Sequence, residues 1–179
     1  MEKKMNNNKT YYMVLSAMFL ALALMLPLLT GQLQQIGRAL NPMHIPVLLC
    51  GFFCGPLYGF AIGLIAPLLR FVFFGMPPIM PFGIGMSLEL ATYGLVSGLL
   101  YSKLPKKKSS VYIALLVAMV AGRVVWGISR VIFYGLGVYE FGWKAFIAGA
   151  LLDAIPGIII QIILIPLIVI ALKRYTINE

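Results

Sequence analysis

Charge is scarce in this chain. Of its 179 residues only 11% are Asp, Glu, Lys or Arg, against roughly 25% in an ordinary soluble domain. Hydrophobic residues make up 61%, and the mean hydropathy is +0.98. A water-soluble core could not hide that much apolar surface, because chains of this size bury only about 70% of what they expose when unfolded. A soluble enzyme and a disordered chain are both excluded on this ground. Histidine and cysteine are as rare, with one His and two Cys. A single His44 gives no trustworthy Ser-His-Asp set and no HExxH site. Cys50 and Cys54 lie in LLCGFFCG with no second Cys/His cluster, so they suit small packing residues on one helix face better than a metal. A glycine-rich phosphate loop followed by Lys-Ser/Thr is missing too, which excludes ATP hydrolysis by the usual route. Neither an enzyme nor a cofactor is implied. Power for any transport comes from an ion gradient or another subunit.

What is present is membrane-like. The formal net charge is +9, a balance that on a soluble protein would suggest nucleic acid. The positions of the cations argue otherwise. Lys3, Lys4 and Lys9 precede the first apolar run, Lys103, Lys106, Lys107 and Lys108 share one short loop, and Lys173 and Arg174 follow the last run. Those nine of the 14 Lys and Arg residues are placed as the positive-inside rule places cytoplasmic charge, and anionic lipid headgroups are a sufficient partner. The run from Tyr11 to Leu29 is long enough to span and no small-residue cleavage site follows it, so the N-terminus does not read as a cleaved signal.

About 20 helical residues cross a hydrocarbon core of roughly 30 Å. On that ruler the chain divides into six segments, at about 11–30, 43–54, 56–74, 79–101, 110–134 and 143–172. The second is short for a full span and reads as tilted or partly re-entrant. The expected fold is a single all-α domain over 1–179, a bundle of six transmembrane helices with both termini cytoplasmic. Every basic cluster then falls inside. Gly51, Gly55, Gly59 and Gly63 recur every four residues, as do Ala17 and Ala21. Small residues at this spacing let helix backbones approach closely in lipid, either within the bundle or against another membrane subunit.

Five ionisable residues fall inside the expected spans: Arg70, Glu89, Arg123, Arg130 and Asp153. Each costs several kcal/mol in mid-bilayer unless paired or wet, so each is a functional candidate. By residue count all five lie at the midplane or in the outer half, as an outward-facing pocket requires. Arg123, Trp126, Gly127 and Arg130 are spaced to share one helix side. Two guanidinium groups around an indole can grip an anionic group and stack on a planar one. Arg123 could instead pair with Glu89 or Asp153 and staple helices. Three arginines against two acids still leave one positive charge, which an anionic substrate, a carboxylate, would match. The substrate-binding candidates are therefore Arg70, Glu89, Arg123, Trp126, Arg130 and Asp153. His44, after Asn41-Pro42, reads as a helix-start residue rather than a ligand, and Gln161 as a helix–helix hydrogen bond. Gln32, Gln34, Gln35, Arg38 and Asn41 make a polar loop that could lie over a pocket.

With these features assembled, the sequence resembles the S components of energy-coupling factor (ECF) transporters, small membrane proteins that bind vitamins and related micronutrients. The resemblance covers nearly the whole chain. It rests on the length, the six segments, the basic N-terminus, Ala17-x-x-x-Ala21 and the stretch NPMHIPVLLCGFFCGPLYGFAIGLIAPLLR. It implies a bacterial plasma-membrane protein that works with a transmembrane coupling subunit and two cytoplasmic ATPases. It implies further that the first three helices dock on the coupling subunit, with Ala17 and Ala21 matching the docking motif, and that the last three hold the substrate. A vitamin-like carboxylate such as pantothenate or lipoate is the expected ligand. The alternative is a stand-alone, proton-coupled secondary transporter using Glu89 and Asp153.

Overall fold

The computed structural model describes residues 2–29, 41–105, 107–135 and 155–177. Among them the chain is helical, with no strand. The helices are α1 (Glu2–Leu29), α2 (His44–Cys54), α3 (Pro56–Phe74), a π-helical turn (Ile79–Gly83), α4 (Ile84–Lys103), α5 (Lys108–Gly135) and α6 (Ile155–Ile177). Five stretches are long and apolar enough to cross a membrane: Lys9–Leu28, Pro56–Phe74, Ile84–Lys103, Lys108–Phe133 and Ile155–Leu172. At 11 residues, α2 reaches only about 16 Å. It is the short member that the sequence anticipates.

Local chemistry sets the helix boundaries. Gly55, at φ 94°, breaks α2 from α3, a backbone conformation that L side chains rarely adopt. Pro56 then occupies the first turn of α3, where its missing N–H leaves nothing unsatisfied. Gly75 closes α3 in the left-handed region at φ 69°, and its N–H donates to Phe71 O at 2.8 Å. The segment expected as one helix over 79–101 begins differently. Met80 is extended (φ −111°, ψ 140°) inside the π-helical turn. A proline disfavours helical backbone at the residue before it, and Met80 precedes Pro81. Regular helix therefore starts only at Ile84 and runs on to Lys103. The helix that carries Gln161 runs to Ile177, five residues past the expected end.

The centre of the bundle is α4. Of its span 56% is buried, against 22% to 33% for the other four. It packs chiefly on α3, α5 and α2, while α1 lies against α2 and α3, and α6 against α5 and α2. Glycine makes the α4 contacts close. A Cβ at Gly59 would lie 2.6 Å from Gly94 O, and one at Gly98 would lie 2.6 Å from Pro56 N. A Cβ at Gly63 would run into the backbone of Leu90. Gly51, Gly59 and Gly63 of the four-residue repeat thus serve internal packing, one of the two readings the spacing allowed, while Gly55 makes the break between α2 and α3.

The outside of the bundle is apolar. Val14, Met18, Leu22, Leu57, Val72, Val120, Ile163 and Leu167 are all exposed. Water would not tolerate so continuous a surface. Lipid does.

Candidate functional site

Three polar side chains, one from each of three helices, meet around Glu89, whose own side chain is only 4% exposed. Tyr93, one helical turn along α4, donates its hydroxyl to Glu89 Oε1 at 2.9 Å. Arg123 on α5 brings Nη1 within 3.3 Å of the same oxygen. His44, the first residue of α2, places Nε2 at 3.8 Å from it, and its ring meets Tyr93 edge-on at 5.3 Å between centroids. Gly122 makes room for this arrangement, since a Cβ there would run into the Tyr93 ring. An ion pair shielded from water is retained only when further hydrogen bonds satisfy it, and Tyr93 supplies one.

A second cluster lies further along α5. Arg130, itself buried, sets its guanidinium carbon 4.2 Å from the centroid of Phe82 and 4.9 Å from that of Trp126. Cation–π contacts of this kind strengthen when desolvated. Phe82 comes from the π-helical turn, which the prolines at 77, 78 and 81 set apart from regular helix. The Ser129 hydroxyl donates to Trp126 O at 2.7 Å and sits beside Gly85 of α4. The register is that of an antiparallel pair. Tyr93 faces Gly122, Glu89 faces Arg123, Gly85 faces Ser129, and Phe82 faces Arg130.

The candidates from the sequence are therefore divided. Glu89 and Arg123 come together, and the partner of Arg123 that the sequence left open is Glu89. Trp126 and Arg130 come together one level along the same helix. Arg70 stands apart: its Nη1 donates to Leu24 O of α1 at 3.3 Å, and its guanidinium lies 5.6 Å from the Phe74 ring. The hydrogen bond links α1 to α3. Asp153 lies outside the described residues, as do Gln32, Gln34, Gln35 and Arg38. Gln161 is buried on α6. Ala17 and Ala21 are exposed on α1, while Phe19 and Ala23 turn inward.

Three participants escape the sequence reading. His44 does start a helix, as expected, but it is 1% exposed and its side chain serves the Glu89 cluster. The signal was there: a lone imidazole opening an apolar run is expensive without a polar neighbour. Tyr93 carries a weaker signal, its spacing of four from Glu89. Phe82 carries none, because only the folded turn brings it to α5. Among the described residues no group of three His, Cys, Asp or Glu side chains is placed to hold a metal ion.

Comparison with curated proteins and with solved structures finds no match. The family described as the substrate-specific component of ECF transporters matches residues 11–169. That stretch takes in most of α1 through most of α6 and both polar clusters. The chain belongs to this family of ECF transporter substrate-specific components.

Proposed function

We propose that this chain captures a small anionic micronutrient, a carboxylate such as pantothenate, between α4 and α5 from the outer face of the cell membrane. It then delivers the ligand through an ECF module of one transmembrane coupling subunit and two cytoplasmic ATPases. In this reading both termini and the Lys103–Lys108 loop are cytoplasmic, and the chain performs no chemistry on its ligand. The observation that carries it is the Arg130 guanidinium braced by Phe82 and Trp126 at one end of the bundle. Guanidinium edges match carboxylates bidentately, and bracing reduces the rotamer freedom lost on binding.

An Arg130→Gln variant tests this reading by titration of the purified full chain with pantothenate and related carboxylates. Loss of a charge-assisted hydrogen bond of about 2 kcal/mol corresponds to roughly thirtyfold weaker binding. Unchanged affinity would remove Arg130 from the site. The stand-alone proton-coupled reading is disfavoured by Glu89 itself. Its Oε1 is already engaged by Arg123 and Tyr93, as in a structural ion pair.

The exposed Ala17 and Ala21 support docking of α1 on the coupling subunit, because small side chains allow close backbone approach. Leucine at both positions should change the stability of the isolated chain by no more than about 0.5 kcal/mol. Ligand binding should persist, while co-purification with the coupling subunit is lost. Retained co-purification would move the docking face elsewhere.

A further inference from the structure

The cations that flank the spans differ in their surroundings. Lys3 and Lys4 have Glu2 beside them, and Lys173 and Arg174 are followed by Glu179. Lys103, Lys106, Lys107 and Lys108, at the turn between α4 and α5, have no acidic residue nearer in the chain than Glu89. Glu89 lies 14 residues before Lys103, about 21 Å along a helix, and is taken up by Arg123 and Tyr93. Among the described residues no ion pair involves Lys103, Lys107 or Lys108, and all three are exposed. Like charges gathered in this way repel one another, and an anion from outside the chain would relieve them.

The turn is held in shape by its own backbone. The N–H of Leu104 donates to Leu100 O at 2.8 Å, that of Lys107 to Pro105 O at 2.7 Å, and that of Ser110 to Lys107 O at 3.1 Å. Lys103 ends one membrane-spanning stretch and Lys108 begins the next, which puts both at headgroup depth. One helical turn deeper lie two exposed side chains, Leu99 below Lys103 and Tyr112 below Lys108, with Leu116 one turn further along α5. Lysine stems run along such apolar surface while the ammonium stays at the polar boundary, and a tyrosine ring suits the same boundary. Charge for a headgroup and cover for acyl chains are therefore offered at one place.

We propose that the α4–α5 turn is a discrete site for one anionic phospholipid, its phosphate held by Lys103, Lys107 and Lys108 and its acyl chains lying over Leu99, Tyr112 and Leu116. A discrete site differs from the diffuse attraction of any basic flank for an anionic leaflet, and it is independent of what the bundle carries. A soluble anion would satisfy the lysines and leave the apolar side chains uncovered. With both termini cytoplasmic, the lipid belongs to the cytoplasmic leaflet.

Native mass spectrometry of the full chain in detergent, titrated with phosphatidylglycerol or with zwitterionic phosphatidylcholine, reads the first lipid bound. Phosphatidylglycerol should bind at least about tenfold tighter, because each lysine near an anionic surface contributes about fivefold. Replacing Lys103, Lys107 and Lys108 together by Gln should bring phosphatidylglycerol down to the level of phosphatidylcholine. Replacing Lys3, Lys4 and Lys9 together by Gln removes the same charge and should change phosphatidylglycerol binding by less than about threefold. If the first triple variant does not fold, the double variant Lys107→Gln, Lys108→Gln carries the comparison, with a loss of about tenfold or more. Inorganic phosphate in excess should leave the lipid in place. Equal binding of the two lipids, or equal losses in the two triple variants, overturns the discrete site. Displacement by inorganic phosphate overturns the lipid as its occupant.

Discussion

Glu89→Ala should lower the stability of the chain by about 3 kcal/mol. Removing one partner of a buried ion pair leaves the other charge without compensation, at about 3–5 kcal/mol. The lower end applies because the Arg123 side chain is 22% exposed and recovers some hydration. The Tyr93 hydroxyl loses its acceptor at the same time. For a chain of this size the shift corresponds to roughly 6–12 °C in the melting temperature, read in detergent by the unfolding of the purified protein. Glu89→Gln should cost less, since the amide oxygen still accepts from Tyr93. The double variant Glu89→Leu, Arg123→Met provides the control. With both charges removed it should lose less than the sum of the single changes. Strict additivity would mean that the two side chains do not stabilise one another.

The second large effect falls where there is no polar chemistry. Gly94→Ala adds one methyl group, but its Cβ would run into the backbone of Gly59. Backbone cannot rotate away as a side chain can. The two helices would have to separate, loosening the contacts at Gly51, Gly63 and Gly98 with them. Overpacking of this kind costs typically 1–3 kcal/mol, and the upper end, about 3 kcal/mol, is expected because the obstacle is main chain. In lipid the loss bears directly on helix association, which relies on close packing rather than on the hydrophobic effect. Gly135→Ala is the matched control. A Cβ there meets nothing within 4 Å, and its effect should stay within about 0.5 kcal/mol. Equal melting temperatures for Gly94→Ala and Gly135→Ala would contradict the close approach of α3 and α4.

Much of this architecture is local, and for that reason readable before folding. Hydropathy alone finds the stretches able to span, because each must satisfy its own backbone and cover its surface with apolar side chains. The glycine repeat and the Arg123–Trp126–Arg130 face follow from helix periodicity. The pairing of Arg123 is not local. Glu89 and Asp153 are equivalent by charge and by depth, and only the packing of α4 against α5 brings Glu89 within reach. The same packing converts His44 from a helix-start residue into a member of the cluster. Arg70 shows the reverse. By composition it belongs with the other intramembrane arginines, yet it bonds a main-chain oxygen of α1, and no side-chain pattern announces a carbonyl. The late start of α4 is local after all: the three prolines at 77, 78 and 81 encode it.

The claim that this chain is a specificity subunit, and not a transporter by itself, is tested most directly by uptake into proteoliposomes. Vesicles would hold either the chain alone under an inward proton gradient, or the chain with a coupling subunit, two ATPases and internal ATP. Labelled pantothenate should accumulate only in the second set, and only while ATP lasts. Accumulation by the chain alone, driven by the proton gradient, would contradict the account.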